Sequence, residues 1–324
     1  MIITRTPYRA SLMGGGTDYS AWYKEHGGAV LTGTIDKYCY LSARYMPAFL
    51  GFKYNACWSK MERVNSLDDL IHSGIRGCLQ YMGVDEGFEV NHAGDLPARS
   101  GLGSSSAFTV GMLHALHALK GEHASKAQLA REAIEVEQVV LKETVGIQDQ
   151  IQCAHGGFNH IEIHRDGSYT VSPVIISTGR KASLESRLML FFTGLQRHSS
   201  EIANSQVSNI ERKEPELKAI QNLVPRALDA VTNGNMDDVG SLLHETWMLK
   251  RELSDKVTSD GIDSLYNAAR EAGAIGGKLL GAGGGGFFLF YVPVDKQASV
   301  REAMNGLLDI PFKFEHGGSQ VVLS

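Results

Sequence analysis

The stretch Pro97-Ala98-Arg99-Ser100-Gly101-Leu102-Gly103-Ser104-Ser105-Ser106-Ala107 sets glycines and three consecutive serines at the head of an amphipathic run. A glycine turn at a helix start offers unpaired backbone N–H groups, the positive helix end and several hydroxyls, a combination that holds phosphate groups. Other phosphate loops do not fit: there is no G-x-x-x-x-G-K-[ST], and no G-x-G-x-x-G with a following acidic residue in a βαβ frame. The plain alternative is a flexible loop with a serine N-cap, for which three serines are surplus.

Gly146-Ile147-Gln148-Asp149-Gln150 places a carboxylate just past a helical stretch that carries Glu137, 12 residues earlier. Two carboxylates near a phosphate loop suit Mg²⁺-dependent phosphoryl transfer, one for the metal and one to orient or deprotonate the attacking hydroxyl. The alternatives are a solvated position for Glu137, among Glu132, Glu135 and Glu143, and an N-cap role for Asp149.

Pro7-Tyr8-Arg9 through Gly14-Gly15-Gly16-Thr17-Asp18-Tyr19 couples a cation, a glycine run and an acid behind the first strand. Arg9 is suited to neutralise a transferring phosphoryl group or a nearby carboxylate, and Asp18 to accept hydrogen bonds from sugar-like hydroxyls. An ordinary surface ion pair at a strand-to-loop turn is the alternative. In the second half, Lys278-Leu279-Leu280-Gly281-Ala282-Gly283-Gly284-Gly285-Gly286-Phe287 forms another glycine-rich loop. Five glycines in six residues are entropically costly unless backbone passes close to a ligand or to the first domain, or makes a tight strand–helix crossing.

The elements that must position these loops alternate in periodicity, as expected of a mixed α and β protein. Strands are expected over Met1 to Pro7, Ala29 to Tyr45, Phe158 to Ile163, Tyr169 to Ser177 and Arg187 to Thr193, and near Phe287 to Val292 and Gln320 to Leu323. Helices are expected over Leu67 to Met82 behind Ser66, from Ser104, and from Ser125, where Gln128 completes a capping pattern. Long polar helical stretches then run over Ser199 to Arg212, Glu214 to Thr232, Met236 to Ser254 and Asp260 to Ala272. The change of character puts a boundary near residue 180, giving units 1–180 and 181–324.

The 324 residues are 43% hydrophobic and 21% charged with a formal net charge of −5, which excludes a disordered or collagen-like chain and leaves no basic footprint for nucleic acid. Cys39, Cys57, Cys78 and Cys153 form no C-x-x-C pair, so neither a disulfide framework nor a zinc site is expected. No apolar run is long enough for a membrane span and Arg5 interrupts the only early one, so a cytoplasmic protein without membrane or nucleic-acid partners is expected.

The three glycine loops, in this order and with Gly146-Ile147-Gln148-Asp149-Gln150, resemble the signature motifs of the GHMP kinases. The resemblance runs from Pro7 to Phe287. It implies an α+β chain of two domains, the first like ribosomal protein S5 domain 2 and the second ferredoxin-like, with ATP and the acceptor between them. Asp149 then resembles the catalytic base and Arg9 its basic partner, while Ser105 and Glu137 resemble the Mg²⁺ ligands. Pro97, Gly101, Leu102, Gly103, Ser104, Ser105 and Ser106 would hold the nucleotide with Gly283, Gly284 and Gly285. Gly15, Gly16, Thr17 and Asp18 would face the acceptor.

Galactokinases carry Gly-Glu-His-Thr-Asp where this chain has Gly14-Gly15-Gly16-Thr17-Asp18, which argues against galactose. Gly14 to Tyr19 with Trp22-Tyr23, Thr34 to Tyr40 and Gly194 to Glu201 is similar to the bacterial heptose 7-phosphate kinase branch. That branch implies transfer of the ATP γ-phosphoryl group to the anomeric hydroxyl of D-glycero-D-manno-heptose 7-phosphate, toward GDP-heptose. A phosphorylated acceptor needs further cations, for which Lys37, Arg44, Arg99, Arg197 and His198 are candidates. An unphosphorylated sugar such as fucose, mannose or galactose stays open as acceptor, as do a non-catalytic sugar and ATP sensor and a homodimer.

Overall fold

A computed structural model describes residues 1–195 and 199–324. Among them, the strands in chain order are β1 (Ile2–Met13), β2 (Gly28–Tyr45), β3 (Tyr54–Cys57), β4 (Met61–Val64), β5 (Phe88–Gly94), β6 (Phe158–Ile163), β7 (Tyr169–Pro173), β8 (Leu188–Phe192), β9 (Gly276–Leu279), β10 (Phe287–Tyr291), β11 (Leu308–Asp309) and β12 (Gln320–Leu323). They form two sheets, an eight-stranded one in the order β12-β1-β2-β5-β3-β4, with β6 on β2 and β7 on β6, and a four-stranded one in the order β11-β8-β10-β9. The chain is therefore α+β in two domains, as the motifs imply.

The long strand β2 serves two neighbours. Its first part, Gly28 to Gly33, pairs with β6, and its last part, Cys39 to Tyr45, pairs with β5. β1 runs antiparallel along both, and its register against β2 shifts between Pro7 and Arg9 and again between Ser11 and Met13. Such irregularities re-aim side chains, and here they fall on either side of Arg9. The apolar helix Ser104–Leu119 is buried along most of its length against this sheet.

In the smaller sheet every residue of β10 is buried, which explains the unalternating sequence Phe287-Phe288-Leu289-Phe290-Tyr291. The chain does not divide cleanly at residue 180, which falls within the helix Thr178–Arg187. The last strand, β12, pairs with β1 in the larger sheet, and the helix Glu214–Thr232 contributes Leu223, Val224 and Ala227 to the core that contains that sheet.

The helix expected over Leu67 to Met82 is broken. Ser66 accepts from the Asp68 N–H at the head of a single 3₁₀ turn, Leu67–Asp69, whereas the α-helix is Ser73–Tyr81, where the His72 ring accepts from the Ile75 N–H at 3.2 Å. By contrast, Ser125 caps the helix Lys126–Glu135 through the Gln128 N–H at 3.1 Å, as its sequence pattern predicts. No helix among the described residues is long and apolar enough to cross a membrane.

Candidate active site

Arg9 leaves β1 as a buried side chain, 3% exposed. Its Nε and Nη2 donate to the two carboxylate oxygens of Asp149, each at 2.6 Å, and Nη1 donates to the Gly101 carbonyl. The Arg9 backbone N–H also donates to the Leu102 carbonyl at 3.0 Å. A planar fork on a carboxylate fixes both partners in orientation as well as in distance. The first strand, the serine loop and the Asp149 segment thus meet on one guanidinium. Asp149 is not an N-cap: it lies in the first turn of the helix Gln148–His155, whose cap residue is Ile147, and a carboxylate there sits favourably at the positive helix end.

The helix Ser104–Leu119 starts at Gly103 without any side-chain cap. The serines are therefore not spent on capping, and the first N–H groups of this helix remain open to an anion. Ser104 Oγ accepts from the Arg99 N–H at 3.1 Å, Ser105 is exposed, and Ser106 is buried and donates to Glu137 Oε2 at 3.0 Å. Pro97 is exposed at the start of the loop. Of the three serines, the one whose hydroxyl reaches Glu137 directly is Ser106, because it points inward from the first helical turn.

Glu137 is not on the surface but fully buried, in a π-helical segment Val136–Val140 that ends the preceding helix. Inserted π turns of this kind often occur at functional sites. Gln150 also donates to its Oε2, whereas Oε1 is buried without a partner. Burial, and then the nearby Glu143, push its pKa up to about 8. A buried carboxylate with one oxygen unsatisfied is chemically suited to a hard cation. Among the described residues no group of three His, Cys, Asp or Glu side chains is arranged to hold a metal ion by itself. A divalent ion would therefore take Glu137, a loop hydroxyl and phosphate oxygens, which is how Mg²⁺ is commonly held.

The expected acceptor residues separate into two groups. Asp18 is 3% exposed, and its carboxylate accepts the Gly16 N–H at 3.0 Å and the Gln148 N–H at 3.3 Å, next to Asp149. Burial first, and then the Asp149 charge, raise its pKa. Gly15 and Gly16 are half-buried beside it. Thr17, by contrast, is fully buried and donates to the Gly14 carbonyl at 2.8 Å, so it shapes the turn rather than facing an acceptor.

Two of the candidate cations for a distal phosphate already have carboxylate partners. Lys37 pairs with Asp36 at 3.1 Å and Arg44 with Glu89 at 2.7 Å. Arg197 and His198 lie outside the described residues.

The second glycine loop closes on the first. Gly101 and Gly281 both have left-handed backbone, φ +82° and +70°, and a Cβ on either would come within 2.5 Å of the other loop's backbone. The Phe287 N–H donates to the Ser100 carbonyl at 3.2 Å across the same seam. Gly283 faces Val257 and Gly285 faces Leu195, so these two glycines answer to contacts within their own half. Sequence reasoning missed Lys250 and Lys278, both buried under this loop. Lys278 had a readable signal, a lone cation in an apolar strand just before the glycines; Lys250, on a polar helix, had none.

Two family models match this chain: GHMP kinases N terminal domain over residues 69–157 and GHMP kinases C terminal over residues 227–309. Together they take in more than half of it, including the serine loop, Glu137, Asp149 and the second glycine loop. The chain belongs to the GHMP kinases, and is a phosphotransferase that acts on an alcohol group of a sugar-type acceptor; ATP is the phosphate donor of this family.

Among curated proteins it is similar to the D-glycero-alpha-D-manno-heptose 7-phosphate kinase of Campylobacter jejuni, 28% identical over 94% of this chain and 93% of that one. It is also similar to the galactokinase of Pyrococcus furiosus, 27% identical over 94% and 92%. Among solved structures, a D-glycero-D-manno-heptose 1-phosphate kinase from Bacteroides thetaiotaomicron superimposes with a TM-score of 0.81, covering 100% of this chain and 99% of that one at 24% identity, a likeness of fold.

Proposed function

We propose that this chain is an ATP- and Mg²⁺-dependent sugar 1-kinase whose acceptor is D-glycero-D-manno-heptose 7-phosphate, giving the 1,7-bisphosphate on a route to GDP-heptose. The chemistry rests above all on one observation, the forked contact of buried Arg9 with Asp149 beside the uncapped start of the Ser104–Leu119 helix. The choice of acceptor is supported by the full-length similarity to a heptose 7-phosphate kinase.

In this reading Asp149 accepts the proton of the attacking anomeric hydroxyl at a carboxylate oxygen, and Arg9 fixes the direction of that oxygen. Backbone N–H groups from Gly101 to Ser106 bind the phosphate charge, and Asp18 with Gly15 and Gly16 borders the acceptor. Gly283 to Gly285 complete the nucleotide side. Mg²⁺ held by Glu137 with Ser106 or Ser105 would neutralise charge between the β- and γ-phosphates. Most of the rate enhancement then comes from positioning and electrostatics.

A second reading, an unphosphorylated sugar as acceptor, is favoured by the engagement of Lys37 and Arg44 with their own carboxylates. ADP release with D-glycero-D-manno-heptose 7-phosphate, mannose, fucose and galactose, followed by phosphorus NMR of the product, separates the two. Turnover on the heptose phosphate with an anomeric phosphate supports the first reading, and turnover only on a plain sugar supports the second. Binding without turnover on all four would make the protein a sensor.

A further inference from the structure

Lys250, in the last turn of the helix Asp237–Arg251, and Lys278, on β9, are 5% and 2% exposed. Their ammonium groups meet only carbonyls. Lys278 Nζ donates to Leu12 O at 3.1 Å, and Lys250 Nζ donates to Leu279 O at 2.9 Å and to Gly281 O. Among the described residues no carboxylate lies within ion-pair distance of either. Lysines are almost never buried so completely without a partner.

The charged groups that act on the pair are Arg9 from β1 and Asp18 from the turn after it, and Lys250 also feels Lys278. Arg9 is committed to Asp149, and Asp18 is held by two backbone N–H groups. Three basic side chains, Arg9, Lys250 and Lys278, thus share this seam with two carboxylates, Asp18 and Asp149. If both amines are charged, one positive charge of the three is left without a carboxylate inside the chain, and the seam lies under the two glycine loops.

We infer that Lys250 and Lys278 are positioning residues for phosphoryl transfer, a buried pair whose charge is completed when a phosphate-bearing ligand enters the cleft and which gains a proton from solvent as it does so. The inference rests on the reading of this cleft as a nucleotide site. In the free protein, burial pushes the Lys278 amine down to about 7 and the Lys250 amine well below its ordinary value. A polyanion favours the charged form, so a neutral amine and a proton released by the buffer become an ammonium. The charged amines then hold Leu12 of the first sheet and the Gly281 loop of the second half more firmly against one another.

The test is calorimetric binding of a non-hydrolysable ATP analogue, with saturating Mg²⁺ at pH 8, in buffers of different ionisation enthalpy. Wild type should take up a substantial part of one proton per analogue bound, and Lys278→Met and Lys250→Met should each lower that uptake. The KM for ATP should rise with pH between about 7 and 9 in wild type and lose that rise in Lys278→Met, with kcat changing less. Equal uptake in wild type and in folded variants overturns the inference, as does analogue binding with normal turnover and no uptake. Should the variants not fold, wild type decides alone: uptake has to shrink as the starting pH falls from 8 to 6, and a constant value refutes the idea. Failure of the analogue to bind at all, with no ADP release, removes the nucleotide reading itself.

Discussion

Arg9 and Asp149, 140 positions apart in the chain, meet through two parallel contacts of 2.6 Å while the same guanidinium holds the Gly101 carbonyl. Replacing Asp149 by Asn keeps shape and removes the proton acceptor. Turnover should fall by about 10²–10⁴, the usual worth of a positioned base, with binding of an ATP analogue largely retained. Arg9→Lys keeps the charge and loses the fork, and should lower kcat as well, by at least about tenfold, through misdirection of Asp149. Steady-state kinetics beside analogue titration checks both, and an Asp149→Asn enzyme within tenfold of wild type removes Asp149 from the base role.

The unpartnered oxygen of Glu137 makes a second prediction. Glu137→Gln should raise the Mg²⁺ concentration needed for half-maximal activity several-fold, since one of the few hard ligands is lost. Ser106→Ala and Ser105→Ala distinguish the inward hydroxyl from the exposed one: the variant with the larger shift in the Mg²⁺ titration identifies the loop ligand. An unchanged titration in Glu137→Gln takes that residue out of the metal site.

Gly101 is the point where the two glycine loops touch, with φ +82° and room for a Cβ only within 2.5 Å of Leu280 O. Gly101→Ala should cost about 1–2 kcal/mol for the left-handed backbone, with the clash in addition. The expected result is a lower Tm together with a raised KM for ATP. An exposed glycine with open space around it, such as Gly261, should tolerate the same change with a much smaller effect on Tm.

Lys278 also makes the free protein pH-dependent. Its folded pKa, about 7, lies below the ordinary lysine value of 10.5, so between these the unfolded chain binds more protons. Stability then rises with pH across that window and is lost as pH falls through 7. Buried Glu137, at about 8, acts in the opposite sense below that pH, and buried Tyr8, Tyr19 and Cys39, shifted upward, do so at higher pH, so the rise is best sought between about 8 and 9. Chemical denaturation of the ligand-free protein should show a positive slope there, and Lys278→Met should reduce it, Lys250 keeping the remainder.

Much of this site was legible in the sequence because its signals are local. Glycine clusters, the three serines, the Ser125 cap and the unalternating run from Phe287 to Tyr291 each depend on a few neighbouring residues, and the structure puts a glycine turn before an uncapped helix start, a cap and a buried strand at those places. The two-domain α+β arrangement was what the resemblance carried by those motifs implied. The helix expected behind Ser66 starts only after His72, a boundary the local pattern did not show, because it depends on what the helix packs against.

Tertiary structure alone decided which side chains meet. That Arg9 grips Asp149 depends on shifts in the β1–β2 register, and that Ser106 rather than Ser105 reaches Glu137 depends on the direction of one helical turn against a π-helical segment. The return of β12 to the first sheet and the burial of Lys250 and Lys278 beneath the Gly281 loop have the same origin. Backbone conformation and capping are settled over three or four residues, whereas burial and charge pairing are set by segments more than a hundred residues apart coming together in one packed seam.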